Sequence, residues 1–182
     1  MNKPALIIVC GRPGSGKTTL AHKLANEIRC PLFSRDELKE GYINTTETKH
    51  QNMAEEEIKS INNAFFNTLE LLLESKITIV AEAAFQHKLW VPQYERLADK
   101  ADIVIIQCVI QAALASKRYL ERKGQDPLRE YFHGDNWVMD EKSPYTPPQF
   151  PVPLLEVDTT EDYKPGIPEI CLFIKRSRSS SG

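Results

Sequence analysis

No apolar run in this chain approaches the roughly 18 residues that a membrane helix needs. The longest, 5–10 and 103–106, are far shorter, so no bilayer-spanning helix is expected. Neither sign of charge is in excess either: 23 Lys and Arg stand against 25 Asp and Glu, a formal net charge of −2. With pI near 6.1, the chain is excluded as a globally basic nucleic-acid binder, although a local basic groove is not. Cysteine is sparse: Cys10, Cys30, Cys108 and Cys171 lie far apart with no Cys-x-x-Cys spacing. That pattern excludes a zinc ribbon or a disulfide framework and fits reduced, mostly buried thiols. Met1 is followed within a few residues by a strand-like run without a small-x-small cleavage site, so no secretory signal and a cytoplasmic location are expected. What is present is 41% hydrophobic and 26% charged residues in 182 positions, the make-up of a globular domain. One domain is expected over 1–174, with the Ser-rich, basic stretch 175–182 as a frayed tail.

Periodicity gives the order of elements. Residues 5–10 are almost wholly apolar and end at glycines, as a strand buried on both faces of a parallel sheet does. From Lys17, Leu20, Ala21, Leu24, Ala25 and Ile28 form one helical stripe. Leu32 and Phe33 suggest a brief second strand, after which Ser34 and Glu37 form a Ser-x-x-Glu capping box. The polar stretch 41–50 reads as loop, and 56–74 as a long amphipathic helix with Ile58, Ile61, Phe65, Leu69 and Leu72 on one face. Residues 77–81 and 103–110 read as strands, with a helix marked by Trp90, Tyr94 and Leu97 between them. The prolines of 143–153 imply a surface connection, and 154–157 a fifth strand. Strands alternating with helices predict an α/β fold: a parallel five-stranded sheet, flanked by helices, that binds ligands at the strands' C-terminal ends.

Between the first strand and the first helix stands Gly11-Arg12-Pro13-Gly14-Ser15-Gly16-Lys17-Thr18, the pattern G-x-x-x-x-G-K-[ST] in the context it requires. Glycines let successive N–H groups converge on phosphate oxygens, and the helix N-terminus adds its positive dipole end. Lys17 is expected to reach the β- and γ-phosphates and Thr18 to ligate Mg²⁺, with Thr19 following in the helix's first turn. A nucleoside triphosphate site is therefore predicted over Gly11 to Thr19.

After the second strand comes Ser34-Arg35-Asp36-Glu37-Leu38-Lys39, a carboxylate and two cations beside that pocket. Transfer of a phosphoryl group to a hydroxyl needs such a positioned carboxylate. Asp36 could equally occupy a helix's first turn because the dipole favours it there. On these motifs the chain resembles the small P-loop kinases over about residues 5–158. The nearest resemblance is to the group containing the phage polynucleotide 5′-kinase domain and many predicted kinases, the more distant one to zeta-toxin and gluconate-type kinases. The resemblance implies a three-layer P-loop fold with a small helical lid at about 111–135, and it implies ATP as the nucleotide. It makes Asp36 the general base toward an acceptor hydroxyl, and places Arg35 and Lys39 against the substrate, Lys39 standing where the group has Arg. Glu82 falls where the family has an aspartate that supports Mg²⁺ or substrate; an edge-exposed charge is the alternative. Lys117, Arg118, Arg122 and Lys123 fall on the lid, whose arginines, here Arg118 and Arg122, close over the phosphates. Arg129 and His133 share a face, with Glu130 and Asp135 near enough to make a salt cluster, and receive no role.

The expected activity is Mg²⁺-dependent transfer of the γ-phosphoryl group of ATP to a hydroxyl of a small molecule. A polynucleotide 5′-hydroxyl is the second acceptor considered, disfavoured by the acidic net charge. A conformational switch or ATPase is the third reading, weakened because no Asp-Glu pair follows the third strand.

Overall fold

The structure, a computed structural model, describes residues 3–85, 87–125, 128–133 and 145–179. Five strands form one parallel sheet in the order β2-β3-β1-β4-β5. They are β1 (Ala5–Gly11), β2 (Leu32–Ser34), β3 (Ile79–Glu82), β4 (Asp102–Val109) and β5 (Leu154–Asp158). The connecting helices are α1 (Lys17–Ile28), α2 (Arg35–Thr46), α3 (Glu55–Glu74), α4 (His87–Ala98), α5 (Ala112–Gln125), α6 (Arg129–His133) and α7 (Ile167–Ser179), with a 3₁₀ turn at His50–Asn52.

The apolar run of β1 has no polar face because both its neighbours and both its faces are covered. It pairs with β3 and β4, Ile7 lying opposite Val80 on one side and Val104 on the other. Successive side chains then point to opposite layers. Leu6, Ile8 and Cys10 join the core that includes Phe65, Leu69 and Leu73 of α3 and Trp90 and Leu97 of α4. Ala5, Ile7 and Val9 join the core that includes Leu20, Ala21 and Leu24 of α1 and Ile170 and Ile174 of α7. Phe65 stacks on Phe33 at 5.4 Å and meets Phe66, Phe85 and Trp90 edge-on, a cluster that fixes α3 beneath β2 and β3.

Four local expectations require correction. The stretch 41–50 is not all loop: α2 continues through Thr46, because Ile43 is fully buried and the Tyr42 hydroxyl donates to Glu57 Oε1 of α3 at 2.6 Å. Ser34 and Glu37 do not form a capping box; Ser34 precedes α2 without a side-chain cap, its hydroxyl donating instead to Glu82 Oε2 at 2.7 Å. A Glu carboxylate does reach back at α3, where the Ala54 N–H donates to Glu57 Oε2 at 2.7 Å. The proline-rich connection is more than a surface strap over its described part: Tyr145, Phe150 and Val152 pack on the α3–α4 core, and Phe150 stacks on Tyr94 at 4.2 Å. Finally, α7 carries helix through Ser179, so 175–179 is not frayed; Arg178 there donates to the Lys3 carbonyl at 3.2 Å. Residues 143–144 and 180–182 lie outside the described residues, as do 126–127 and 134–135 of the expected lid and the side chains of Lys123, Arg129 and Glu130.

Candidate active site

All five strands run parallel, so β1, β2 and β3 end on one rim of the sheet, and there the loop Gly11 to Gly16 meets the start of α2. Gly14 has φ +80°, and a Cβ built there would sit 2.1 Å from the Ala115 carbonyl oxygen, so only glycine lets the loop lie against α5. Gly16, also at φ +80°, is the N-cap of α1. The first N–H groups of a helix have no partner within it, and those of α1 follow directly from this loop with the helix's positive end.

A cavity of about 450 Å³ opens in front of the loop. Pro13, Gly14, Lys17, Thr18 and Thr19 line one side, while Asp36 and Lys39 of α2 line another together with Arg122 of α5. Phosphate-loop residues and the expected acceptor residues thus share one space. Gly11, Ser15 and Gly16 shape the loop behind its lining, and the Ser15 N–H donates to the Arg12 carbonyl at 3.1 Å.

Lys17 and Glu82 form an ion pair at 3.2 Å with side chains 8% and 1% exposed. Glu82 is therefore not an edge-exposed charge. It is the last residue of β3, fixed through its other oxygen by Ser34 at the end of β2, and the register pairs those two residues directly. A carboxylate held this way gives the buried lysine a counter-charge, without which burying the ammonium would be costly.

Asp36 is 41% exposed and faces the cavity. Burial pulls its carboxyl upward, but Lys17, Lys39, Arg35 and His133 together outweigh that and hold it below the usual aspartate value, so it is ionised at neutral pH. Arg35 is turned mostly toward α3: its Nε donates to Asn62 Oδ1 at 3.2 Å, its guanidinium lies 5.7 Å from the Phe85 ring centre, and Nη1 reaches Asp36 at 3.5 Å. It orients the start of α2 from behind Asp36.

Two lining residues, His133 and His50, and Tyr131 of α6 had no role assigned from the sequence. His133 of α6 bridges α2, with Nδ1 3.3 Å from Lys39 Nζ and Nε2 2.8 Å from Glu40 Oε1. Since the ammonium can only donate, Nδ1 accepts and Nε2 carries the proton that Glu40 receives. The Tyr131 hydroxyl donates to the Glu47 carbonyl at 3.1 Å, a second tie between α6 and the end of α2. His50 also lines the cavity; burial first, then the charges of Lys39, His133 and Arg35, push its pKa down to about 4, so it is neutral at pH 7. None of the three stands in a motif, and the contacts that tie α6 to α2 join residues 84 to 94 positions apart in the chain.

The arginines of α5 divide. Arg122 lines the cavity beside Tyr119. Arg118, expected to close over the phosphates, does not: its Nη1 and Nη2 donate to the Thr159 and Thr160 carbonyls at 2.8 and 2.6 Å. The reason is the geometry of β5, which ends beside β4 and delivers two free carbonyls to the helix face that carries Arg118.

A site for Mg²⁺ is supported by the donor set. Thr18 supplies a hydroxyl at the loop and Glu82 a carboxylate whose Oε1 faces the Lys17 ammonium at 3.2 Å, both hard oxygen ligands of the kind Mg²⁺ takes with water. No cluster of three or more His, Cys, Asp or Glu suited to a metal occurs among the described residues, so other ligands would come from phosphate and water.

Comparison with known proteins agrees with this geometry. The AAA_33 family, described as an AAA domain, matches residues 6–141. The chain belongs to that family. It is a P-loop, kinase-like domain, as the phosphate-loop and Asp36 motifs implied. Among solved structures, a candidate kinase from Chloroflexus aurantiacus j-10-fl is 26% identical with TM-score 0.83, covering 96% of this chain and 98% of that one. The APS kinase CysC of Mycobacterium tuberculosis, in complex with AMPPNP and APS, is 13% identical with TM-score 0.65, over 96% and 98% of the two chains. A chain of the Pnkp1/Rnl/Hen1 RNA repair complex is 17% identical with TM-score 0.60, over 80% of this chain and 48% of that one. The last two likenesses concern the fold alone. The curated proteins contain no match. No helix among the described residues is long and apolar enough to cross a membrane.

Proposed function

We propose that this AAA_33 domain is an ATP-dependent kinase that phosphorylates a hydroxyl of a small molecule. The observation that carries the reading is the shared cavity: the phosphate loop and an ionised, half-exposed Asp36 line the same 450 Å³ space. The loop N–H groups and Lys17 bind the triphosphate, Lys17 exchanging Glu82 for phosphate oxygens. Thr18 and Glu82 would hold Mg²⁺, which when bound would supply positive charge against the triphosphate. Asp36 orients the acceptor hydroxyl and takes its proton as the new O–P bond forms and the bond to the β-phosphate oxygen breaks, releasing ADP. Lys39 lines the acceptor side and Arg35 fixes Asp36 from behind. Arg122 meets the charge on the transferring phosphoryl group.

A small acceptor is favoured over a polynucleotide end by the wall opposite the loop. The His133 bridge to Lys39 and Glu40 and the Tyr131 tie to Glu47 fasten α6 across α2, and His50 lines the same cavity. The net charge of −2 likewise offers little attraction to a polyanion. An ATPase or switch needs water as acceptor and should turn over without help. The test is ATP consumption before and after adding a desalted mixture of hydroxylated metabolites. A kinase is nearly silent until the mixture is added; equal rates in both conditions overturn the reading in favour of an ATPase.

A further inference from the structure

The loop that follows β5 is tied down from two directions. From α5, the Arg118 guanidinium spreads over two successive carbonyls, at 2.8 Å to Thr159 and 2.6 Å to Thr160. From the other side, the Thr159 hydroxyl, on a residue 3% exposed, lies 2.7 Å from the Ser15 carbonyl in the phosphate loop and 3.2 Å from that of Val109. A hydroxyl has one proton to donate, and the shorter contact assigns it to Ser15. The Thr159 N–H is held separately, 3.1 Å from the Val109 carbonyl. Arg118, Thr159 and Ser15 thus form one chain of contacts from α5 into the loop whose backbone must point at phosphate.

We propose that Arg118 is a positioning residue for the phosphate loop: by clamping the Thr159 and Thr160 carbonyls it holds the Thr159 hydroxyl on Ser15, and so fixes the loop in its anion-binding shape. The planar fork suits this task, since both of its terminal nitrogens are engaged at once and both contacts would be lost if the side chain swung into the cavity. Arg122, one turn further along α5, lines the cavity, and its Nε donates to the Arg118 carbonyl at 3.4 Å. The Ser15 N–H is itself engaged with Arg12, so a shift of the Ser15 peptide would disturb the turn that precedes Gly16.

The inference rests on the nucleotide-binding reading above, and the experiment separates the two. Calorimetric titration with Mg-ADP and with Mg-tripolyphosphate is carried out on the wild type, Arg118→Gln, Thr159→Val, the double variant and Thr159→Ser. Each single loss is expected to weaken both probes by about tenfold, since the shape of the phosphate loop matters to each probe and the base to only one. The double variant is expected to be little worse than the weaker single, because the two residues act in one chain. Thr159→Ser, which keeps the hydroxyl, is expected to bind nearly as the wild type. Wild-type affinity in Arg118→Gln for both probes overturns the proposal. So does loss of ADP binding with tripolyphosphate binding intact, which would mean direct contact with the base. If Arg118→Gln does not fold by circular dichroism, the Thr159 pair decides: equal affinities in Thr159→Val and Thr159→Ser overturn the coupling to Ser15. A wild type that binds neither probe overturns the nucleotide reading itself.

Discussion

Lys17 and Glu82 are among the least exposed charged residues of the chain, and each is the other's counter-charge. Removing one partner of such a pair leaves a buried charge alone, which is costlier than the pair is favourable. Lys17→Ala is therefore expected to lose ATP affinity by at least about tenfold and also to lower the thermal midpoint, as calorimetry and melting would show. Asp36 makes no comparable structural contribution, being 41% exposed. Asp36→Asn should fold and bind ATP as the wild type while transfer falls by about 10² or more, which steady-state kinetics with a competent acceptor would read. Because its neighbours hold the Asp36 pKa below the ordinary aspartate value, the base form persists through mildly acidic pH. Loss of transfer through Asp36 should then set in only below that value; an activity step between pH 5 and 7 would belong to another group.

His50 supplies a stability test with a defined sign. Its folded pKa of about 4 lies below the usual 6.5, so between those values the unfolded chain binds the extra proton. Stability contributed by the neutral ring is complete above pH 6.5 and declines as the pH falls toward 4. From pH 7 to pH 5 the wild type should lose more stability than His50→Gln in denaturant titrations. Identical losses would place the ring in a less confined setting than the one described.

Among the elements, β1, α1, α3, α4 and β4 were legible because each buries a continuous face: two faces for the strands, one stripe for the helices. The end of α2 was not legible, since a helix wedged on α3 needs only Ile43 and the Tyr42–Glu57 contact to hold its last turns, and neither makes a stripe. The Ser34-x-x-Glu37 pattern misled for a related reason: Glu82, 48 positions away, competes for the Ser34 hydroxyl and wins. The extended α2 predicts that Gly41→Ala stabilises the protein by about 0.5–1 kcal/mol, because a Cβ there meets nothing within 4 Å and Ala favours helix. A loop at 41 would show no such gain. Gly14→Ala should do the opposite, driving α5 away from the phosphate loop with loss of both stability and ATP affinity.

At the scale of the whole molecule, the sheet order β2-β3-β1-β4-β5 brings the ends of β1, β2 and β3 to one rim. The phosphate loop was readable because its function lies in consecutive residues, Gly11 to Thr18. The far wall was not, because His50 and His133 arrive from separate elements and mean nothing until α6 lies over α2. Arg118 shows the same limit from the other direction: its spacing from Arg122 suggested a shared role, while β5 gives it the carbonyls of Thr159 and Thr160. Asp36 joins the two halves of the cavity, nucleotide and acceptor. The most direct test is transfer of γ-labelled phosphoryl from Mg-ATP into a pool of small hydroxylated metabolites and, separately, into a 5′-hydroxyl oligonucleotide, with Asp36→Asn alongside. Label entering the small-molecule pool and vanishing in the variant is the predicted result. Label appearing only as inorganic phosphate, at the same rate in wild type and Asp36→Asn, would contradict it.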